Sequence, residues 1–544
     1  MSSRDQREWL FDVTESETPG TCGNSMRENR ETPRTPASDG PAGRPEKAKG
    51  RTSGVYVSGE SDDSIVPAKR ANKAADAAAE SVEGRESTKG NTDQTAADRA
   101  QNRKPASPGR RGVRAAARRD KELRFTTLLH HVSVDHLRES YRSLNRLASP
   151  GLDRMTWAEY GCDLEARLTN LHARIHRGTY RAQPSKRSWI PKADGRKRPL
   201  GIASLEDKIV QQAVRTVLEQ IYEEDFRGFS YGFRPGRNPH QALDALWVGL
   251  MQRRVNWVLD ADIQGFFDAI DHEWLLKFVE HRIADRRILR LIRKWLRAGV
   301  SEDGVWSRRR VGTPQGAVIS PLLANVYLHY VFDLWADWWR RQHASGDVII
   351  VRYADDFVVG FEHRGEAERF LRDLRMRMGK FGLTLHPDKT RLIEFGRFAG
   401  ERRARRGLGK PESFHFLGLT HSCATTRQGK FTVRRQSMGQ RQRAKLRAIK
   451  DALRRRMHHR VWEVGRWLGA VLRGWFNYHA VPGNYRQLNQ FRIQVVRHWL
   501  RVLRRRSQKG RRRWDWARMA RLAAYWLPKA RILHPYPDQR LIVP

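Results

Sequence analysis

The chain has 544 residues and a formal net charge of +44, because 104 Lys and Arg outnumber 60 Asp and Glu. This excess predicts a polyanionic partner, and three scattered cysteines exclude a disulfide framework or a cysteine-based zinc module. The N-terminus is charged where a signal peptide would be apolar, and no apolar segment is long enough to span a membrane. These features exclude the secreted and membrane classes and favour a cytoplasmic protein.

The N-terminal segment is rich in Ser, Thr, Gly, Pro and Ala and has no sustained apolar period. Its first 120 residues hold 22 basic and 19 acidic side chains, a net charge of +3, so the remaining 424 residues carry +41. Such a segment cannot bury enough apolar surface to offset the entropy of ordering it. We therefore predict a disordered extension over residues 1–118.

In the middle of the chain, apolar residues recur with two different spacings, one typical of helices and one typical of strands. From about 125 to 250 the helical period dominates, whereas 255–263 (VNWVLDADI) has the β-branched composition of a strand. Two further apolar runs, 348–353 and 357–361, predict a hairpin with acids at its tip. Because helices and antiparallel strands mix without regular βαβ alternation, the predicted fold class is α+β.

The hairpin tip carries two adjacent carboxylates, Asp355 and Asp356. Buried neighbouring carboxylates raise each other's pKa unless a cation lies between them. A third carboxylate at the end of strand 255–263 would complete a site for two Mg²⁺ ions, which suits in-line phosphoryl transfer. Asp262 and Asp260 both qualify, and the spacing does not decide between them.

The C-terminal region is strongly basic. Residues 434–518 hold 25 Lys and Arg against three acids, with tryptophans and tyrosines interleaved. Like charges at this density repel one another unless an anion neutralises them. This pattern favours nucleic acid as the partner.

Several segments resemble, in order and spacing, the sequence blocks of reverse transcriptases, in particular those encoded by group II introns. The palm-like segments are 257–272, 312–328, 353–361, 382–396 and 414–422; the fingers-like segments are 190–214 and 230–243; the maturase-like segment is 472–492. The resemblance runs from about residue 122 to the C-terminus. It implies a right-hand polymerase with fingers and an antiparallel palm sheet over 119–425, an α-helical thumb or maturase domain over 426–500, and a basic DNA-binding region over 501–544. Many relatives continue into a cysteine-containing HNH endonuclease domain, and because this sequence has no cysteine after Cys423, we expect that domain to be absent.

The resemblance also implies site residues. Asp262, Asp355 and Asp356 match the catalytic ligands of two Mg²⁺ ions, with the main-chain carbonyl of Ile263 as a further ligand. The nucleotide-binding matches are Lys192 and Arg198 on the triphosphate, Phe266 beneath the sugar, Gln315 and Gly316 in the turn of the pocket, and Lys389 near the leaving group. Phe267 is an alternative to Phe266. Generic contact with RNA is the alternative role for Lys192 and Arg198, and a plain surface position is the alternative for Lys389.

Ten arginines are expected to bind nucleic acid. Those assigned to intron phosphates are Arg466, Arg473, Arg486 and Arg492, and those assigned to target DNA are Arg504, Arg505, Arg506, Arg511, Arg512 and Arg513. Phosphate contacts of this kind position a protein without reading sequence.

We therefore expect an RNA-directed DNA polymerase and RNA maturase of a mobile group II intron. It would assist intron splicing and copy the intron into DNA at a target site. Its expected partners are intron RNA, target DNA and deoxynucleoside triphosphates, without a membrane, in the bacterial cytoplasm or at the nucleoid. A non-polymerising RNA-binding splicing factor and a retron or defence-type reverse transcriptase are the alternatives. The three carboxylates disfavour the first alternative, and the maturase-like thumb and basic tail disfavour the second.

Overall fold

The computed structural model describes residues 108–540 apart from 192–196, 303–304, 308–310 and 314–315. Most of the predicted disordered extension, residues 1–107, lies outside the described residues. Among the described helices, none is both long and apolar enough to cross a membrane.

The last part of the predicted extension, residues 108–118, is a helix, which corrects the expectation of disorder for these residues. Helix α1 spans Pro108–Arg119 and buries Val113 and Ala117 against its neighbours. Arg114 Nε lies 2.7 Å from a carboxylate oxygen of Glu224. The segment has few apolar residues, so its order depends on partners that are distant in sequence.

Helices dominate the N-terminal half. In chain order they are a 3₁₀ turn (Leu129–His131), α2 (Val134–Ser143), α3 (Trp157–Gly161), α4 (Leu164–Arg177), α5 (Leu205–Asp225), α6 (Pro239–Gln252), α7 (Phe266–Ala269), α8 (His272–Arg282) and α9 (Arg286–Arg297). Local sequence sets several starts: Asn238 and Gln241 form a capping box before α6. Asp271 caps α8 by accepting hydrogen bonds from the main-chain amides of Glu273 and Trp274.

A first sheet lies among these helices. Its strands are β1 (Ser185–Pro191), β2 (Lys197–Ile202), β4 (Val300–Glu302) and β5 (Val305–Ser307), in the order β2-β1-β4-β5. Strand β1 is antiparallel to β2 and parallel to β4. The sheet places Arg198 on β2.

The central sheet contains both strand predictions. Its members are β3 (Trp257–Asp262), β6 (Val348–Tyr353), β7 (Asp356–Phe361) and β8 (Arg391–Glu394), in the order β6-β7-β3-β8 with all pairs antiparallel. The predicted strand at 255–263 and the predicted hairpin are confirmed. Four further elements accompany the sheet: α10 (Ser320–Leu328), a π-helical turn (His329–Asp333), α11 (Leu334–His343) and α12 (Arg364–Lys380).

A third sheet connects the central sheet to the C-terminal helices. It contains β9 (Phe414–Phe416), β10 (Leu419–Thr425) and β11 (Phe431–Ser437), in the order β11-β10-β9. The short helix α13 (Ala399–Arg405) precedes this sheet in the chain. Apolar side chains of this sheet, such as Phe414 and Val433, share one core with Val258 and Val358 of the central sheet.

The C-terminal helices have a core of their own. They are α14 (Gly439–Arg455), α15 (Val461–His479), α16 (Tyr485–Arg505), α17 (Gln508–Arg513), α18 (Trp516–Trp526) and α19 (Pro537–Arg540). The expected boundary between residues 500 and 501 falls inside α16. Met519 and Leu527, from the expected tail, are buried in the same core as Leu468 and Trp499. The described tail is therefore packed into this helical core through its apolar residues.

Candidate active site

Three carboxylates meet where strands β3 and β7 lie side by side. The antiparallel register places Asp262, the last residue of β3, opposite Asp356, the first residue of β7. Asp355 lies in the turn between β6 and β7, and the side chains of Asp356 and Asp262 are close enough to influence each other's charge. The register of the sheet thus brings together residues 94 positions apart in sequence (356 − 262).

The electrostatics of this cluster are unfavourable without a cation. Desolvation by the surrounding protein, and then the negative charges of Asp355 and Asp262, raise the pKa of Asp356 to about 7. Burial also raises the pKa of Asp355, whereas the positive charges of Arg198 and Lys389 act in the opposite direction. Hard carboxylate oxygens clustered in this way are the donors that Mg²⁺ prefers.

Lys389 lies against the cluster. Its Nζ is 2.6 Å from a carboxylate oxygen of Asp262, and about half of its side chain is exposed. In the described part of the chain, no group of three or more His, Cys, Asp or Glu side chains has the placement of a metal site. In this arrangement Asp262 has an ammonium partner, Lys389, at the place where a divalent cation would compete for it.

Asp260 has different partners from Asp262. Its carboxylate lies 3.8 Å from Arg391 and accepts a hydrogen bond from the main chain of His415. Burial raises the pKa of Asp260 to about 6. The geometry therefore favours Asp262 over Asp260 as the third member of the cluster.

The residues expected to bind the nucleotide are only partly described. Lys192 and Gln315 lie outside the described residues. Gly316 has φ +107°, and a Cβ there would lie 2.9 Å from the carbonyl oxygen of Gly201 on β2. Both conditions favour glycine, and the close approach joins the turn around 316 to the strand that carries Arg198.

The two phenylalanines of α7 have different environments. Phe266 is 2% exposed and packs edge-on against Phe267 and near Tyr327. Phe267 is half-buried and contacts Phe233, which is 40% exposed. A side chain that contacts a sugar must present a face to it, so the expected role of Phe266 suits Phe267 better. Ile263, the expected carbonyl ligand, directly follows Asp262 and has a buried side chain.

The ten expected nucleic-acid arginines differ in their contacts. Eight are exposed: Arg466, Arg473, Arg486, Arg504, Arg505, Arg511, Arg512 and Arg513. Three, including the exposed Arg504, donate hydrogen bonds to main-chain carbonyls. Arg492 reaches Pro528 and Ala523, Arg504 reaches Trp514, and Arg506 reaches His459. These bonds give the three arginines structural roles that the sequence pattern did not predict.

One charged pair next to the cluster was missed by the sequence analysis. Arg352 in β6 and Asp333 in the π-helical turn are both fully buried, and Arg352 Nε donates to Asp333 Oδ1 at 2.6 Å. The available signal was a single arginine in an otherwise apolar strand, since a buried cation needs a partner.

Known proteins resemble this chain over the same region. The family model described as reverse transcriptase (RNA-dependent DNA polymerase) matches residues 190–421. The chain is 33% identical to Protein YkfC of Escherichia coli over 309 residues, which are 50% of this chain and 81% of that protein.

Two further relatives have names that refer to introns. The chain is 42% identical to the group II intron-encoded protein LtrA of Lactococcus lactis over 166 residues, 30% of this chain and 27% of LtrA. It is 27% identical to the putative COX1/OXI3 intron 1 protein of Saccharomyces cerevisiae over 405 residues, 62% of this chain and 47% of that protein. The chain thus aligns with less than half the length of each of these two relatives.

Proposed function

Because the chain belongs to the family of group II intron-encoded reverse transcriptases and maturases, we propose that its carboxylate cluster polymerises DNA on an RNA template. The observation that carries this proposal is the juxtaposition of Asp262 and Asp356 by strand register, with Asp355 in the adjacent turn. A protein that only binds RNA has no need for three carboxylates placed so close together, because their like charges repel one another.

The cluster would hold two Mg²⁺ ions through Asp262, Asp355 and Asp356, with the carbonyl of Ile263 as an additional donor. When bound, the ions supply charge stabilisation to the attacking and leaving oxygens of nucleotidyl transfer. The carboxylates would hold the ions, and the register of the sheet fixes the main-chain positions of Asp262 and Asp356 relative to each other.

Three neighbouring residues would bind the nucleotide. Arg198 is close enough to influence the pKa of Asp355 electrostatically, which is a suitable place for a triphosphate. Charge-assisted bonds from a guanidinium suit phosphate oxygens. Phe267, rather than Phe266, would contact the sugar, and Gly316 would let the main chain approach the nucleotide closely.

Lys389 would pair first with Asp262 and then with the leaving phosphate. Its ammonium is bonded to Asp262, and when Asp262 holds a cation Lys389 would instead pair with the leaving phosphate. A displaced ammonium next to a phosphate can stabilise negative charge there.

The basic surface would bind the polynucleotides. Exposed arginines lie on α15, α16 and α17, and we propose intron RNA and target DNA as their partners. Contacts with phosphates provide affinity that depends strongly on salt. Assistance to splicing and copying of the intron at its DNA target would follow from holding both nucleic acids.

The experiment is primer extension on an RNA template with the variant Asp355→Ala. We expect cDNA synthesis to fall at least about 10³-fold, because the missing ligand stabilises charge in the transition state. RNA affinity should change less than about threefold, since it depends on distant arginines. Asp388→Ala is the matched control, because Asp388 is an exposed acid close to Lys389 in sequence and outside the cluster. Primer extension by Asp355→Ala near the wild-type rate would refute the two-metal assignment and favour a non-polymerising RNA-binding protein.

A further inference from the structure

The turn that carries Asp355 accepts a hydrogen bond from a buried guanidinium. Arg352 has no exposed surface, and its Nη1 donates to the carbonyl oxygen of Ala354 at 3.0 Å. Ala354 has φ +57°, a left-handed conformation that is unusual for a residue other than glycine. Such a conformation persists only when its surroundings determine it.

The guanidinium is itself held in one orientation. It forms a bidentate salt bridge with Asp333, in which Nε donates to Oδ1 at 2.6 Å and Nη2 donates to Oδ2 at 2.5 Å. The same Nη1 that reaches the turn also donates to Asn325 Oδ1 at 3.1 Å. Because the guanidinium is planar and its donors are fixed relative to one another, the pairing with Asp333 sets the direction of Nη1.

A second segment closes the other side of the turn. Ser230 Oγ accepts from Arg352 Nη2 at 2.7 Å, and the Tyr231 amide donates to the Arg352 carbonyl at 2.9 Å. A Cβ at Gly232 would lie 2.2 Å from the Ala354 nitrogen, so this segment is in tight contact with the turn. Asn325 Nδ2 donates to the Gly232 carbonyl at 2.7 Å, which ties the segment to α10.

Asp333 lies at an irregular point of its helix. It ends the π-helical turn between α10 and α11, and such turns occur frequently at functional sites. A buried ion pair contributes little net stability, because its desolvation cost is close to its Coulombic gain, and apolar residues of the same volume often do as well. Stability alone therefore does not account for a charged pair at this place.

We propose that Arg352, oriented by Asp333, is a positioning residue that sets the main-chain conformation of the Ala354-Asp355-Asp356 turn and thereby the spacing of the carboxylates. This inference rests on the proposed function of those carboxylates. It assigns to the pair a role in cation binding and in turnover, separate from its contribution to folding.

The test uses three variants of the full chain. Asp333→Asn keeps the shape and leaves the guanidinium without its charged partner. The double variant Arg352→Met/Asp333→Leu replaces the pair by apolar side chains. Asp225→Asn is the matched control, since Asp225 pairs at 2.9 Å with Arg282, another buried guanidinium that donates to the main chain near α1 instead of to the turn.

Each variant is measured in three ways: thermal unfolding, binding of Mn²⁺ alone followed by electron paramagnetic resonance, and the Mg²⁺ dependence of kcat and KM in primer extension. We expect Asp333→Asn to weaken Mn²⁺ binding and kcat by about 10- to 100-fold, as loss of a ligand-supporting residue usually does. KM for the template-primer should stay within about threefold. The double variant should recover most of the lost unfolding temperature and keep the weakened Mn²⁺ binding.

Two results would overturn the inference. The first is normal Mn²⁺ binding and kcat in the double variant, which would make the pair a stabilising contact only. The second is an equal loss of Mn²⁺ binding in Asp225→Asn at a matched loss of unfolding temperature. The proposed function is tested independently, because an Asp355→Ala protein that still extends primers would overturn that proposal whatever the Arg352 variants do.

Discussion

At the scale of single residues, the candidate site combines groups that destabilise the folded chain. Asp356 lies beside two other carboxylates, and desolvation together with their negative charges raises its pKa to about 7. A carboxyl whose pKa is higher in the folded chain than in the unfolded chain makes the fold less stable as the pH rises from about 4 to about 7. Function and stability conflict at this position, as they often do at active sites.

The variant Asp356→Asn tests this conflict. Without divalent cations at pH 8, we expect its unfolding temperature to exceed that of the wild type by about 2 °C or more, because charge repulsion is removed. The gain should be smaller at pH 5, where the folded wild-type carboxyl already carries its proton. Thermal unfolding in a chelating buffer at both pH values measures the difference.

Asp388→Asn serves as the control, since it removes an exposed carboxylate. The repulsion argument fails if Asp356→Asn unfolds at a lower temperature than the wild type at pH 8. Added Mg²⁺ should raise the unfolding temperature of the wild type and leave that of Asp356→Asn nearly unchanged.

At the scale of elements, helix α1 shows how few apolar residues can order a segment. Among the apolar side chains of α1 that the structure describes, Val113 and Ala117 are buried. Two ion pairs add to them, from Arg110 to Glu139 and from Arg114 to Glu224. The alanines let α1 approach its neighbours closely, and its arginines reach acids on other helices.

Truncation separates α1 from the segment before it. Removal of residues 1–107 should leave polymerase activity on a generic template within about threefold. Removal of residues 1–119 should destabilise the protein by about 2 kcal/mol or more, since burial of one valine alone contributes roughly that amount. Denaturant unfolding and primer extension on both truncated proteins provide the measurements.

Two point variants in α1 test its structural role without changing the length of the chain. Val113→Asp should destabilise the full chain, whereas Arg118→Gln, at an exposed position of the same helix, should not. Equal stability of the two truncated proteins would contradict a structural role for α1.

At the scale of the whole molecule, the positive charge and the apolar core of the C-terminal region are interleaved. Arg492 and Arg504 donate to main-chain carbonyls inside the helical region, while Met519 and Leu527 complete its core. A truncation after residue 500 would therefore remove core side chains together with charge. Substitution of exposed arginines is the cleaner way to test the binding surface.

Four exposed arginines of the tail carry this test: Arg505, Arg511, Arg512 and Arg513. Their combined change to Gln should lower the salt dependence of duplex DNA binding by up to about 3.6, at about 0.9 for each lost phosphate contact. Intron splicing should decline less than DNA binding, because Arg466, Arg473 and Arg486 are kept. Both activities are measured across a salt series.

The control removes four exposed charges from α12, which packs against the central sheet, by changing Arg364, Arg372, Arg375 and Lys380 to Gln. DNA binding and its salt dependence should stay close to the wild type. A tail variant that loses splicing as completely as DNA binding would show that the tail binds RNA, contrary to the proposed division.

The sequence by itself determined the local features of this protein. The apolar runs on either side of Ala354-Asp355-Asp356 predict the hairpin because strand formation there depends on neighbouring residues alone. The net charge indicates a polyanionic partner because charge is additive along the chain. The family resemblance selected Asp262 over Asp260, a choice that the period of two left open.

Only the tertiary structure decided which polar groups meet. The order of α1, the burial of Phe266 beside a half-exposed Phe267, and the carbonyl bonds of Arg492 all depend on partners far away in sequence. The Arg352–Asp333 pair depends on a π-helical turn packed against a strand. Such interactions gain their strength from burial, and burial is a property of the assembled elements that no local pattern of residues contains.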